Sequence, residues 1–395
     1  MRDPLKIIIE DINPLIFQHF DTHDIRRITL VSKLWNQIIG SSRQCMRKIT
    51  CRIDRPSLQV NALKQSSRHY ENFKIAPRGY YEELSVILNY FDVKNVWIND
   101  TSDKEVEHNE YVNFMRSFAD TIEYLQTGDI STKNSSRMTV INFPKLKKLH
   151  CSFTNRSAFS IFLGDNKNLE TVILSSELYS CDDEFLNHNN IISEFLSKNQ
   201  QIRNLWLLHL EKLFVYDISS KVTQKLRHIT FTTNFQNTPR HAKQNFIKFI
   251  KSQWCLESLN MMGCRDKSIV VDIWNGLVKF NKLFVIDCNF YEELHSFDLR
   301  ENLNIEEIDF YLSSSLHAFM FLQAAPNIVS YKIRQLSKQL LEFSIRNLKC
   351  LKEIKYQSID GDAAKYFKEI IRSCGRRPFK VKELDFFEYL NIEKQ

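Results

Sequence analysis

The chain has 395 residues, and its 54 basic and 47 acidic side chains leave a formal net charge of +7. Because the two signs nearly balance and no long basic run occurs, the composition argues against nucleic acid as a partner. Only 8 glycines are present, which disfavours glycine-rich phosphate loops and hairpin-dense β barrels, since both need residues at positive φ.

The cysteines and the amino-terminal residues indicate a cellular location. The nine cysteines are odd in number and include no CxxC pair, which favours reduced thiols over a disulfide framework. Glu10 and Asp11 interrupt the apolar patch Ile7–Ile9 at once, so it is too short for a signal sequence or a membrane span. We therefore expect a protein of the cytoplasm, the nucleus or both that does not bind membranes.

Residues 13–40 predict two or three short helices. Asn13-Pro14 has the order of a helix N-cap followed by proline at the first helical position. Asp24 is a suitable N-cap for a second helix, which Gly40 ends. Its apolar residues are spaced three or four apart: Ile25, Ile28, Val31, Trp35 and Ile38. Such short helices bury little surface alone, so they need a partner or the rest of the chain.

The run LVSKLW at residues 30–35 has the order of the most specific part of a known motif. The other positions of that motif are filled by Ile8-Ile9, Asp11, Ile16-Phe17, Phe20-Asp21 and Asp24-Ile25. Ile9 stands where the family carries proline. The segment therefore resembles the F-box, the motif through which substrate receptors of cullin–RING ubiquitin ligases bind a small adaptor protein.

The resemblance implies that residues 1–45 form an F-box motif, which binds the adaptor and through it the cullin scaffold. The apolar contacts to the adaptor would come from Ile8, Ile12, Ile16, Val31 and Trp35. The alternative is a generic helical hairpin that caps one end of a repeat array, because such arrays need capping units.

From about residue 93 the pattern apolar-x-x-apolar-x-apolar recurs at intervals of 23–33 residues. The middle apolar residues of its copies are Val96, Leu125, Leu149, Val172, Leu205, Ile229, Leu259, Leu283, Ile308, Tyr331, Ile354 and Leu384. Each copy predicts a short strand, because its last positions alternate with period two. Segments with helix spacing lie between the copies at 191–196, 246–250, 269–277, 316–322, 340–345 and 366–371.

Strand plus helix at this interval is the signature of leucine-rich repeats. Asn234, Cys264 and Cys288 also fall where that repeat places an asparagine or cysteine at the turn out of the strand. The sequence therefore predicts an α/β fold: an N-terminal helical F-box followed by a curved leucine-rich-repeat-like solenoid with a parallel sheet. The solenoid would cover residues 46–395 with about 12 repeats. The resemblance to F-box leucine-rich-repeat proteins covers nearly the whole chain.

No motif for catalysis or metal binding occurs, so we predict no catalytic residue, no metal and no cofactor. The chain has no HExxH, no GxSxG and no Cys/His cluster with zinc spacing. His19 and His23 are four apart but stand beside acidic residues, and we expect them to be solvated. An enzyme on an irregular α/β sheet is the alternative, and a deep pocket with perturbed ionisable groups would indicate it.

A binding surface is expected instead on the strand face opposite the core, to which every second side chain points. The candidates for contact with a protein target are Trp206, Phe284, Asp309, Tyr311, Lys332, Lys355 and Phe387. The predicted function is a non-catalytic substrate-recognition subunit of an SCF-type ubiquitin ligase, holding an unidentified protein substrate through the repeats. The alternative is a repeat scaffold for protein interactions with no role in ubiquitin transfer.

Overall fold

The structure is a computed structural model. It describes residues 17–66, 68–99, 105–128, 130, 132–133, 139–152, 156–175, 184–215, 217–219, 225–232, 235, 238–264, 266–276, 283–286, 298–310, 315–359 and 380–384. The chain divides into two compact units, Met1–Val172 and Ile173–Gln395.

Three short helices open the described part of the first unit: α1 (Thr22–Val31), α2 (Lys33–Ser41) and α3 (Arg43–Met46). Asp21 is the N-cap of α1, because its carboxylate accepts a hydrogen bond from the Asp24 amide at 2.7 Å. Ser32 then separates α1 from α2, and its hydroxyl accepts from the Trp35 amide at 3.2 Å. The predicted single helix from Asp24 to Gly40 is therefore wrong: local serine capping divides it in two.

The rest of the first unit alternates strands and helices. Its strands are β1 (Thr50–Ile53), β2 (Asn72–Ile75), β3 (Asn95–Ile98), β4 (Tyr124–Thr127) and β5 (Lys148–Ser152). Its helices are α4 (Pro56–Lys64), α5 (Tyr81–Leu88), α6 (His108–Arg116) and α7 (Arg156–Ser160). Each of these strands pairs in parallel with the next one along the chain. The boundary between the units falls within β6 (Thr171–Ser175).

The second unit repeats this alternation. Its strands are β7 (Asn204–Leu208), β8 (His228–Thr232), β9 (Ser258–Met262), β10 (Leu283–Ile286), β11 (Glu307–Phe310), β12 (Ser330–Leu336), β13 (Glu353–Ile359) and β14 (Lys380–Glu383). Its helices are α8 (Glu184–Lys198), α9 (Arg240–Ser252), α10 (Lys267–Gly276), α11 (Ser315–Gln323) and α12 (Lys338–Asn347), with a 3₁₀ turn at Glu211–Val215. Successive strands β7 to β14 are again parallel neighbours.

One backbone device recurs where successive strands begin. The carbonyl of Glu71 accepts hydrogen bonds from both Lys94 and Asn95, and the carbonyl of Lys94 accepts from the next repeat in the same way. In the second unit the Glu306 carbonyl likewise accepts from Val329 and Ser330. Because most of the described repeats start from the same contact, it sets the strand register there at the first residue.

The predicted parallel strands alternating with helices are therefore confirmed. All twelve predicted strand copies coincide with strands of the structure, and β1 and β2 add two that the sequence pattern did not reveal. The predicted helices lie within α8 to α12, except that 366–371 falls outside the described residues and 269–277 runs one residue past the end of α10. The leucine-rich-repeat family and the curvature of the sheet stay predictions.

Two repeats have a different register from the one predicted. Phe284 pairs in register with Leu259 and Ile308, so it occupies the core position that the pattern gave to Leu283. In the last repeat Val381 stands opposite Ile354, three residues before the predicted Leu384. A slip of an odd number of residues exchanges the two faces of a strand, so both repeats present other side chains outward than predicted.

The polar residues at the turns also lie elsewhere than predicted: they precede the strands, whereas the predicted ones follow them. Asn166 and Asn199, each six residues before a core position (Val172 and Leu205), are fully buried. The Asn166 side chain accepts from the Phe143 amide at 3.0 Å and donates to the carbonyls of Phe162 and Gly164. Of the predicted residues after the strands, Cys264 is buried, whereas Asn234 and Cys288 lie outside the described residues.

Candidate functional site

The helices that open the first unit form a small core of their own. Buried side chains of this core are Phe17, Ile25, Ile39, Cys45, Met46 and Ile49. The ring of Trp35 packs edge-on against Phe17, with centroids 6.4 Å apart, and is half-buried. Trp35 therefore supports the helices from inside as well as offering part of its ring to solvent.

Next to this core, three apolar side chains at the junction of α1 and α2 are left in solvent. Leu30 is 87%, Val31 72% and Leu34 58% exposed. Large apolar side chains that lie together and exposed are a common mark of a protein-binding site. Val31 was predicted to contact the adaptor, whereas Leu30 and Leu34 were not named for it. The sequence LVSKLW could have indicated that these two leucines are exposed, because they do not follow the spacing of the buried helix face.

The helical segment is fixed to the first strands by polar contacts. The Lys48 ammonium donates to the carbonyls of Phe17, Gln18 and Phe20 at 3.1, 2.9 and 2.7 Å. Arg47 forms an ion pair of 3.0 Å with the buried carboxylate of Glu71, just before β2. These contacts hold the apolar junction of α1 and α2 on a defined support. The other predicted adaptor contacts, Ile8, Ile12 and Ile16, lie outside the described residues.

One group of acidic and histidine side chains in this segment has the ligand types of a cation site. Asp21, His23 and Asp24 bring their ligand atoms within 4.8 Å of one another. The two carboxylates are already used in the capping box of α1, in which each accepts a backbone amide. Helix capping therefore accounts for this group. His23 and His19 are exposed, as predicted.

In the second unit the predicted target contacts fall into three groups. Trp206 lies on β7 and is 40% exposed, on the face opposite the core. Phe284 is fully buried, where it packs against the rings of Trp274 and Phe321, so its predicted outward position is wrong. Tyr311 and Phe387 lie outside the described residues.

The remaining candidates, Asp309, Lys332 and Lys355, stand side by side on β11, β12 and β13. The next residue in the same register is Lys382 on β14, which the sequence pattern did not identify. All four line a cavity of about 410 Å³, together with Leu283, Glu307, Ser330 and Leu384. We call Lys332, Lys355 and Lys382 the lysine row.

The electrostatics of this cavity are mixed. The Lys332 ammonium lies 3.2 Å from the Asp309 carboxylate, and about a tenth of each side chain is exposed. Lys355 pairs with Glu353 at 3.1 Å. Burial raises the pKa of Asp309 above its ordinary value, although the positive charges of Lys332 and Lys355 oppose that rise. The site therefore contains charged groups that are buried at a cost in desolvation free energy. This property is expected of a binding site as well as of a structural ion pair.

Comparison with known families assigns the helical segment. The F-box domain model matches residues 10–60, which extends past the predicted end at residue 45 through β1 into α4. The chain thus has an F-box domain at residues 10–60, followed by repeated parallel strands and helices. F-box domains in general bind the small adaptor of SCF-type ubiquitin ligases, and proteins that carry one are typically non-catalytic subunits. No curated protein matches the chain. In the described part of the chain, no helix is long and apolar enough to cross a membrane.

Proposed function

We propose that this protein is the substrate-recognition subunit of an SCF-type ubiquitin ligase. The F-box domain binds the adaptor, which joins the chain to the cullin scaffold, and the strand face of the second unit holds a protein target. The observation that carries the proposal is the F-box match at residues 10–60, within which Leu30, Val31 and Leu34 stand exposed.

In this function the chain contributes no reacting group. A target held near a charged conjugating enzyme presents its lysines at a high effective concentration, and that proximity replaces a catalytic residue on the receptor. Trp206, Asp309, Lys332 and Lys355 are the described residues that we assign to target contact. Exposed aromatic rings and mixed charges on one strand face are the composition in which hot spots of protein interfaces occur.

The test is co-purification of the full chain with an F-box adaptor. Leu30→Asp with Leu34→Asp should reduce adaptor affinity by a hundredfold or more, because burial of each leucine contributes about 1.5–3 kcal/mol. Tyr90→Asp is the matched control, since Tyr90 is an equally exposed apolar residue of the first unit, beyond the F-box match.

Both variants should keep the melting temperature of the wild type, because the replaced side chains are largely solvated. If the double variant still binds the adaptor as the wild type does, the leucines are not the interface. If the wild-type chain binds no adaptor at all, the function is that of a repeat scaffold without a role in ubiquitin transfer.

A further inference from the structure

The cavity on β11 to β14 has an ordered charge pattern. Parallel pairing places Asp309, Lys332, Lys355 and Lys382 in one register, so an acid is followed by three cations on successive strands. Neighbouring strands lie about 4.8 Å apart, which spaces these groups evenly across the sheet. Like charges directly opposite each other lower the stability of a sheet. The lysine row is therefore a feature that the fold alone does not favour.

Asp309 gives an independent sign of a ligand at the acidic end of the pattern. Its residue is 8% exposed, and it lines the cavity. One carboxylate oxygen faces the Lys332 ammonium, whereas the other, Oδ1, is buried without a hydrogen-bond partner among the described residues. A buried acceptor of this kind costs free energy until a donor reaches it. A ligand that brings an N–H group to Asp309 would remove that cost.

The opposite end of the cavity calls for an acceptor. Lys355 and Lys382 line it beside the apolar side chain of Leu384, and Lys355 forms an ion pair with Glu353. Lysine is a point charge that suits a single carboxylate, whereas planar bidentate recognition uses arginine. The acids Glu307 and Asp309 at the other end repel a polyanion, so a nucleic acid does not fit this lining.

From these features we infer that the cavity binds an extended peptide segment with a donor and a carboxylate about three residues apart. The donor contacts Asp309, and an Asp or Glu side chain contacts Lys355 and Lys382. The spacing follows from two strand intervals of about 4.8 Å each. A polyproline II segment spans this distance in three residues at about 3.1 Å per residue, and its three residues per turn place both side chains on the same face. This inference rests on the proposed function, since the segment would belong to the target.

The experiment selects random peptides displayed on phage against the full chain, both alone and with an F-box adaptor added. The expected consensus has Lys, Arg or Asn followed about three positions later by Asp or Glu. Selected peptides should bind Lys355→Met and Lys382→Met about tenfold more weakly each, which corresponds to about 1.4 kcal/mol. The matched control is Lys380→Met, because Lys380 is exposed on the same strand but does not line the cavity.

Each outcome decides one of the two proposals. Adaptor binding without any acid-containing consensus, or with equal affinity for all three lysine variants, overturns the inference and leaves the proposed function standing. Selection of the acidic consensus by a chain that captures no adaptor supports the site and overturns the ligase role. If phosphoserine in place of the acidic residue strengthens binding more than tenfold, the ligand is a phosphopeptide and the carboxylate assignment is wrong.

Discussion

Replacing Lys332 with methionine should destabilise the second unit, because this lysine forms an ion pair with a buried carboxylate. The Lys332–Asp309 ion pair of 3.2 Å is about nine-tenths buried, so loss of the ammonium leaves the carboxylate without its ion-pair partner. Breaking one partner of a buried ion pair costs about 3–5 kcal/mol. Replacing both partners with apolar residues of similar size costs little, because the desolvation of both charges disappears together. Lys332→Met with Asp309→Leu should therefore be more stable than Lys332→Met alone.

The effect should depend on pH in a defined direction. Burial raises the pKa of the Asp309 carboxyl in the folded protein above the model-compound value of 3.8. The folded state then binds more protons than the unfolded state between these two values, so stability from this group falls as the pH rises through the folded pKa. Lys332→Met removes an opposing positive charge and raises that pKa further. Its destabilisation should be largest near neutral pH and should shrink towards acid pH.

Hydrogen exchange of the β12 and β13 amides measures this change, because a long repeat protein need not unfold in one step. After correction for intrinsic exchange rates, Lys332→Met should lower the opening free energy of these amides, and the double variant should restore it. Lys352→Met is the control, since Lys352 is exposed just before β13. Equal protection of wild type and Lys332→Met at neutral pH would refute the reasoning, as would a double variant less stable than the single one.

Three further predictions concern stability. Phe284→Ala should cost about 3–5 kcal/mol because the ring is fully buried. Trp206→Ala should cost clearly less, because 40% of that side chain is already exposed; similar melting temperatures would contradict the corrected register. Asn166→Ala should lower the free energy of unfolding by about 1–3 kcal/mol, because it leaves the Phe143 amide without its hydrogen-bond acceptor. An unchanged urea midpoint would contradict this. His108→Leu should raise the melting temperature, more at about pH 6 than at about pH 8, because burial lowers the pKa of His108 and the wild type loses stability below its unfolded value of 6.5; a pH-independent gain would contradict this origin.

The repeat could be predicted from sequence because its core positions carry a strong period. Ile229, Leu259, Ile308 and Ile354 all stand where the pattern placed them, and each is buried. The pattern is ambiguous where apolar residues are consecutive. In Leu283-Phe284-Val285-Ile286 either alternate set reads as a core face, so only pairing with β9 and β11 decides between them.

The first two strands were missed for a related reason. β1 and β2 are four residues long and contain charged or polar residues at Arg52, Asn72 and Lys74. Asn72 is buried because its side chain donates to the Arg47 carbonyl at 2.5 Å, and Asn95 donates to it in turn at 2.7 Å. Such contacts depend on residues more than twenty positions away, which no local pattern contains.

Two of the three residues of the lysine row could be predicted from the sequence. Lys332 and Lys355 follow core residues of clear strands, so the pattern placed them on the outer face. Lys382 was missed because Leu384, an apolar residue just beyond the short strand β14, attracted the core position of the pattern. The pairing of β13 with β14 extends the row by one cation and makes the cavity more positive at that end.

The inward and outward faces of the strands differ in what the fold requires of their side chains. A repeat of this kind is specified by its inward positions, such as Ile308 and Tyr331, which are buried against the helices. The outward positions between them are free to vary, because a solvated strand face is satisfied by almost any polar residue. At Asp309 and Lys332, however, a buried ion pair occupies these positions, and one carboxylate oxygen has no hydrogen-bond partner among the described residues. Well-packed apolar residues are often as stable as such a pair. The peptide site that we propose at the lysine row would give this ion pair a role in binding.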